Sequence, residues 1–403
     1  MTKNFQEKIN FLQASGLYRQ LVESDAIDAV VVKRGVHKLI SFCSNDYFGL
    51  AHNVAVKKAA CDAINKYGAS QASSRYISGN NSFYSKLEKR IAGMKNCEEA
   101  IVFSSGYMAA IGAISALVGE GDLVVADKLI HSCLLDGIKL SGAKMIRFAH
   151  NDLAHARQIL LENTKKYQKI LIITEDVFSM DGDKGHIIEL YKLAREFGCM
   201  MLSDGAHSLF DEEFFDGDGA QNLLDVDRRN HENKSFEKKK QSSQNKNTSH
   251  AKNIFLRMGT FSKAVGSFGG YIAGDKITID YLRNFSKSAI YTTALPASIL
   301  AASLRSLQLI SKNNYAKKTL QNAQYFCDLM KLPKPQSAIV VIKIGDNKKV
   351  LQITENVAKK GFLISAIRPP TVEPKGARLR ITFSTLHNKK QIKQLVLALQ
   401  NFI

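Results

Sequence analysis

KILIITED, residues 169–176, is a short apolar run with none of the polar alternation of a half-solvated strand. Its continuous hydrophobicity suggests a strand buried on both faces. The pattern recurs in AIVFSS (100–105), DLVVAD (122–127), KMIRFA (144–149), CMMLSD (199–204) and NIFLRM (253–258). Helical stretches such as DLAHARQILLENTKKY (152–167) and IIELYKLAREFG (187–198) lie between the runs. Strands alternating with helices indicate an α/β fold built on a mostly parallel, doubly wound sheet.

The pattern changes after about residue 295. A long helical region, 297–330, leads to SAIVVIKIGD (337–346), a further helix and RLRITF (378–383), which reads as a smaller α+β unit. The expected division is an N-terminal segment (1–50), a large domain (51–295) and a small C-terminal domain (296–403).

The chain has 403 residues, 45% hydrophobic and 23% charged, an ordinary globular composition long enough for two domains. Its six scattered cysteines form no C-x-x-C pair, so they read as reduced thiols of a cytoplasmic protein, with no disulfide framework and no metal site. The start, MTKNFQEKINFLQ, has no apolar segment of signal-peptide type. Residues 100–119 are uncharged and long enough to span a bilayer, but they break at SSGY. A β-branched run, a turn and an Ala-rich helix fit them better, so no membrane span is expected.

The formal charge is +19, and residues 228–253 hold eight Lys/Arg against two Glu. That stretch has almost no apolar residues and reads as a solvated, mobile insertion. The remaining charge is spread out, without the basic patch or aromatic interleaving that nucleic-acid binding requires.

Several apolar runs end in polar or glycine-rich stretches: SSGY, DKLIHSC, EDVFSMDGD, SDGAHS and GTFSK. Ligands of open α/β sheets bind at the carboxyl ends of the strands, so these five stretches are expected to converge. GTFSKAVGSFGG (259–270) sets Lys263 among small residues that let the backbone approach a ligand. Asp204 and His207 follow one run and His131 another. The amides of Ser105, Gly106 and Tyr107 open a helix, a ready phosphate site. An amine, a carboxylate, two imidazoles and a phosphate cradle are what pyridoxal phosphate needs: a Schiff-base lysine and a carboxylate facing the pyridinium nitrogen. Taken singly, each has a plainer reading: a surface lysine, a capping aspartate, a structural histidine.

With SNDYFGL (44–50), FSSGYMAAIGAISAL (103–117), FAHNDL (148–153), TEDVFSMDGD (174–183), DGAHS (204–208), GTFSKAVGSFGGY (259–271) and AIRPPTVEPKGARLRITFSTLH (366–387), the sequence resembles the α-oxoamine synthases. These are fold-type-I pyridoxal-phosphate enzymes that condense an amino acid with an acyl thioester and release carbon dioxide. The resemblance runs in order from about residue 5 to the end, except near 209–253.

Within the family, FAHND, VFSMDGD and AIRPPTV…ARLR are most like the biotin-pathway member. That member uses L-alanine and a pimeloyl thioester of CoA or acyl carrier protein. Glycine C-acetyltransferase and the synthases of α-hydroxyketone signals are rivals, and a catalytically silent regulatory relative is the alternative from another class.

The resemblance implies that Lys263 carries the cofactor and moves the substrate α-proton, and that Asp204 pairs with the ring nitrogen. It places His131 on the ring and against the substrate, and His207 at the ring hydroxyl with Ser179 nearby. Gly106, Tyr107, Thr260 and Ser262 would approach the phosphate. Thr292 and Thr293 would reach the phosphate in the neighbouring subunit of a homodimer with shared sites. Asn45 and Arg380 match positions that hold the amino-acid carboxylate, a task suited to a guanidinium fork. Arg19 and Thr371 match acyl-substrate contacts, and Arg368 is a further substrate-binding position.

Three departures stand out. Glycines usually follow the DxAH motif, where this chain has HSLFDEEFFDGDG; the second residue of that motif is usually acidic, and here it is Gly205. The family's TVP reads TVEP, with Glu373 extra.

Overall fold

The structure, a computed structural model, describes residues 2–210, 254–400 and 402. The insertion at about 228–253, and most of the altered stretch after His207, lie outside these residues.

Among the described residues the strands are β1 (Asp25–Ala26), β2 (Val31–Arg34), β3 (His37–Ser41), β4 (Glu99–Phe103), β5 (Leu123–Asp127), β6 (Lys144–Phe148), β7 (Ile170–Glu175), β8 (Met200–Asp204), β9 (Phe255–Thr260), β10 (Gly270–Gly274), β11 (Ile339–Gly345), β12 (Phe362–Leu363), β13 (Ser365–Ile367) and β14 (Ala377–Thr382). Seven form the central sheet in the order β4-β10-β9-β8-β7-β5-β6. All six apolar runs are strands of it.

Their unbroken hydrophobicity has a direct cause. Leu171 and Ile173 of β7 pack beneath the helix Gly106–Leu117, while Ile170 and Ile172 pack on the opposite face with the helices Leu153–Asn163 and Ile187–Glu196. Both faces are covered, so neither parity of side chain is polar. Residues 100–119 hold most of β4 and the whole helix Gly106–Leu117, and no helix of the described residues is long and apolar enough to cross a membrane.

The sheet is parallel except for β10, which pairs antiparallel with β4 and β9. Gly270 opens β10 because a Cβ there would lie 2.5 Å from the Gly106 amide nitrogen. The strand therefore passes directly under the start of a helix at the site.

The C-terminal part has its own antiparallel sheet, β11-β14-β13. The N-terminal segment joins it: β3 pairs in parallel with β12, and Phe42 enters the C-terminal core. His387 stacks on Phe42 with ring centroids 3.9 Å apart. The Ser384 amide donates to His387 Nδ1 at 3.0 Å, so the ring carries its proton on Nε2 and donates it to the Ser41 carbonyl at 2.9 Å. Burial pushes this imidazole down to about 4, which keeps it neutral.

Candidate active site

The polar stretches expected to converge are the continuations of β4, β5, β7, β8 and β9 at one end of the sheet. Ser105 caps the helix Gly106–Leu117, its hydroxyl accepting from the Met108 amide at 3.1 Å. The amides of Gly106 and Tyr107 are among the four that an α-helix cannot bond internally. Thr260, at the end of β9, donates its hydroxyl to the Gly269 carbonyl at 2.7 Å and lies 2.7 Å from the Ser262 hydroxyl. The Thr260 proton is already used, so Ser262 donates. The first helical turn and this loop touch: a Cβ on Gly106 would sit 3.2 Å from Thr260 Cβ. The Tyr107 ring is exposed, and its hydroxyl donates to Asp136.

Lys263 follows β9 and reaches His207, Nζ to Nε2 at 2.7 Å. Burial holds the lysine below its ordinary range although Asp204 and Glu175 pull the other way. Burial, then the charges of Lys263 and Arg380, hold His207 well below its ordinary range. A neutral imidazole accepts from Lys263 at Nε2 and donates from Nδ1 to Tyr47 Oη, 2.7 Å away. Tyr47 passes its own proton on to Asn45 Oδ1 at 3.2 Å, and Arg380 Nη2 donates to that same oxygen at 3.2 Å. One chain of hydrogen bonds therefore runs from Lys263 through His207, Tyr47 and Asn45 to Arg380. Arg380 is aimed by a second bond, Nε to the Ser179 carbonyl at 2.6 Å.

Asp204 is buried at the end of β8, where its carboxylate accepts the Ala206 amide at 2.9 Å. Glu175 is its cross-strand partner on β7. Burial and then the Asp204 charge push the Glu175 carboxyl well above the usual range. His131, beside them, caps the helix Ser132–Ser141 and is exposed. The glycine at 205 has a local reason: a Cβ there would lie 2.6 Å from Asp176 Oδ2. An acidic side chain would collide with that carboxylate.

Not every candidate joins this cluster. Thr292 and Thr293 lie on a separate stretch, where Thr293 bridges to Ser74. Arg19, Arg368 and Thr371 form their own group: Arg19 Nη2 donates to Thr371 Oγ1 at 2.8 Å, and Arg368 donates to the Gly16 carbonyl.

Sequence reasoning passed over Tyr47, Glu175 and His150. Tyr47 and Glu175 sit inside the motifs SNDYFGL and TEDVFSMDGD, which was their only signal. His150 joins FAHND to VFSMDGD: Nδ1 lies 3.0 Å from Asp127 and Nε2 2.8 Å from Asp183. Burial disfavours its charge, but the two carboxylates outweigh that and push it up to about 10.

The folded value lies above the ordinary 6.5, so the stability this imidazolium contributes is complete below pH 6.5 and is lost as pH rises through about 10. Replacing His150 with Gln should cost about 2–3 kcal/mol at low pH. The stability gap to the parent should shrink between about pH 6 and about pH 9.5 in urea unfolding. A gap that widens over that interval would contradict the charged bridge.

A family model, aminotransferase class I and II, matches residues 37–399. An 8-amino-7-oxononanoate synthase of Methylorubrum populi is 38% identical over 394 residues, covering 98% of this chain and 92% of the relative. Among solved structures, an 8-amino-7-oxononanoate synthase of Francisella tularensis is 26% identical with a TM-score of 0.69, covering 90% of this chain and 97% of that one. A high-resolution structure of SPT with PLP is 24% identical with a TM-score of 0.82, covering 99% of this chain and 97% of that one.

Proposed function

We propose, for a chain that belongs to the class I and II aminotransferase family and within it to the α-oxoamine synthases, the reaction of an 8-amino-7-oxononanoate synthase. L-alanine and a pimeloyl thioester, of CoA or of acyl carrier protein, give 8-amino-7-oxononanoate for biotin synthesis, with release of the thiol and carbon dioxide. The cofactor is pyridoxal phosphate. The observation that carries this reading is the half-buried Lys263 amine, held 2.7 Å from a neutral His207 at the strand ends that also bear Asp204.

The residues fit that cofactor. A first helical turn with unbonded amides, packed against Thr260 and Ser262, suits a phosphate. The buried Asp204 carboxylate suits a protonated ring nitrogen, and Glu175 Oε1 is buried among described atoms that give it no partner. Lys263 would hold the group covalently, His131 would lie on its ring, and His207 with Ser179 would hold its hydroxyl. When bound, pyridoxal phosphate supplies an aldehyde carbon for the substrate amine and a ring that takes up the electron pair left at the α-carbon.

The chain's own residues do the rest. Arg380 and Asn45 grip the alanine carboxylate and fix which bond to the α-carbon faces Lys263. Lys263 removes the α-proton, and burial suits it to that task by lowering its basicity towards neutral pH. His207 is neutral, so it accepts a hydrogen bond from Lys263 without placing a second positive charge beside the amine. The raised Glu175 carboxyl resists placing a second negative charge beside Asp204. Arg19, Arg368 and Thr371 receive the acyl donor. Thr292 and Thr293 serve the site of a second copy in a homodimer. The six free cysteines accord with a cytoplasmic location.

The test is thiol release from pimeloyl-CoA by the protein with pyridoxal phosphate and alanine, glycine or serine. Alanine should give the highest kcat/KM. Release with glycine or serine alone would overturn the assignment of substrate. The insertion at about 228–253 bears on the donor: replacing it with a short Gly/Ser linker should lower kcat/KM for pimeloyl-CoA at low salt only, because charge steering is screened. An equal loss at every salt concentration would show the segment to be structural.

A further inference from the structure

Glu373, which parts Val372 from Pro374, does not hang free on its turn. Both carboxylate oxygens accept from Arg378 Nη2, at 2.8 and 2.9 Å. The Arg378 side chain is 1% exposed, and it also donates from Nη1 to Asp181 and from Nε to the Gly376 carbonyl at 2.8 Å. The Gly376 amide donates to the Glu373 carbonyl at 2.9 Å, closing a tight turn. A Cβ on Gly376 would lie 2.5 Å from Glu373 Cδ, so the turn can fold over the guanidinium only with glycine there.

Two stretches meet on Arg378. Asp181 belongs to the loop whose Ser179 carbonyl aims Arg380. Glu373 belongs to the turn that carries Arg368 and Thr371, which residues 16–19 clasp from outside. We propose that Glu373 is a positioning residue for the acyl donor: through Arg378 it locks the Arg368–Thr371 turn to the loop beneath Arg380, so that the acyl and amino-acid pockets keep one spacing. This rests on the functional reading above. It goes beyond that reading by giving the site a specificity element that no substrate atom need touch. Asp181 remains bonded to Arg378 when Glu373 is lost, so the guanidinium keeps a carboxylate partner and the core beneath it survives.

The experiment compares the parent with Glu373→Ala and Glu373→Gln, each loaded with cofactor. Steady-state kinetics would be run with pimeloyl-CoA and alanine, with calorimetric titration of a thioether analogue of pimeloyl-CoA and thermal melts alongside. Alanine at 373 should raise the KM for pimeloyl-CoA and the Kd of the analogue roughly tenfold, because a displaced turn misplaces its contacts. The KM for alanine and kcat should stay within about twofold. Glutamine keeps the shape and a neutral hydrogen bond, and should fall between. An unchanged acyl KM in both variants would overturn the proposal. So would equal rises in both KM values that follow a lowered Tm, since that marks a general loosening. A parent that releases no thiol would instead overturn the functional reading itself.

Discussion

Replacement of Lys263 by alanine is expected to abolish thiol release, by at least about four powers of ten, while the fold survives. In the proposed reaction one amine holds the cofactor and also moves the α-proton, so two functions would be lost together. The effect should be visible before any turnover assay, because protein purified with pyridoxal phosphate should lose the absorbance of the lysine-bound cofactor. The side chain sits in the loop between β9 and β10, outside the packed clusters, and its hydrogen bond is to His207. Circular dichroism and Tm should therefore stay close to the parent. Removing Lys263 also removes a positive charge that holds His207 down, so the His207 imidazole should titrate higher in the variant. Activity undiminished in this variant would sink the assignment.

Asp204→Asn is expected to retain cofactor and lose about a thousandfold or more in kcat. The ring nitrogen would no longer be held protonated, and the ring would take up an electron pair poorly. Glu175 cannot take over as the missing carboxylate. Burial is the largest cause of its raised value and the Asp204 charge only the second, so Glu175 still resists ionisation when Asp204 is neutral. Adding Glu175→Gln to Asp204→Asn should therefore cost little more. A rate within a few-fold of the parent, or a large further loss in the double variant, would show that the charged partner is not Asp204.

The strands were legible where burial on both faces leaves an unbroken apolar run, as in β5, β7 and β8. Strand β10 escaped because GYIAG carries two glycines, and its reason for existing lies elsewhere: it passes under Gly106, where a side chain would not fit. The candidate site divides in the same way. Lys263, Asp204, His131 and Arg380 each follow a run or a motif. Tyr47 and Arg378 are tied into the site by partners 160 and 197 positions away, His207 and Asp181, which no local window contains. Glu175 matters because of its register with Asp204, and register is a property of two strands. Gly205 and Glu373 looked like departures and turn out to be accommodations: one makes room for Asp176, the other covers Arg378.

The parallel pairing of β3 with β12 also has a consequence for the order in which the molecule can be made. Asn45 emerges from the ribosome early, and Arg380, the guanidinium that bonds it, comes 335 positions later. Strand β3 has no partner on its β12 side until Phe362 and Leu363 have been translated. At the ordinary pace of synthesis the N-terminal segment waits tens of seconds for that partner. A nascent or truncated chain that stops short of β14 contains the strands of the central sheet and Lys263, but it lacks Arg380, the guanidinium proposed to grip the substrate carboxylate. Under the proposed function incomplete copies are expected to be silent, because the amino-acid pocket is among the last parts of the molecule to come into being.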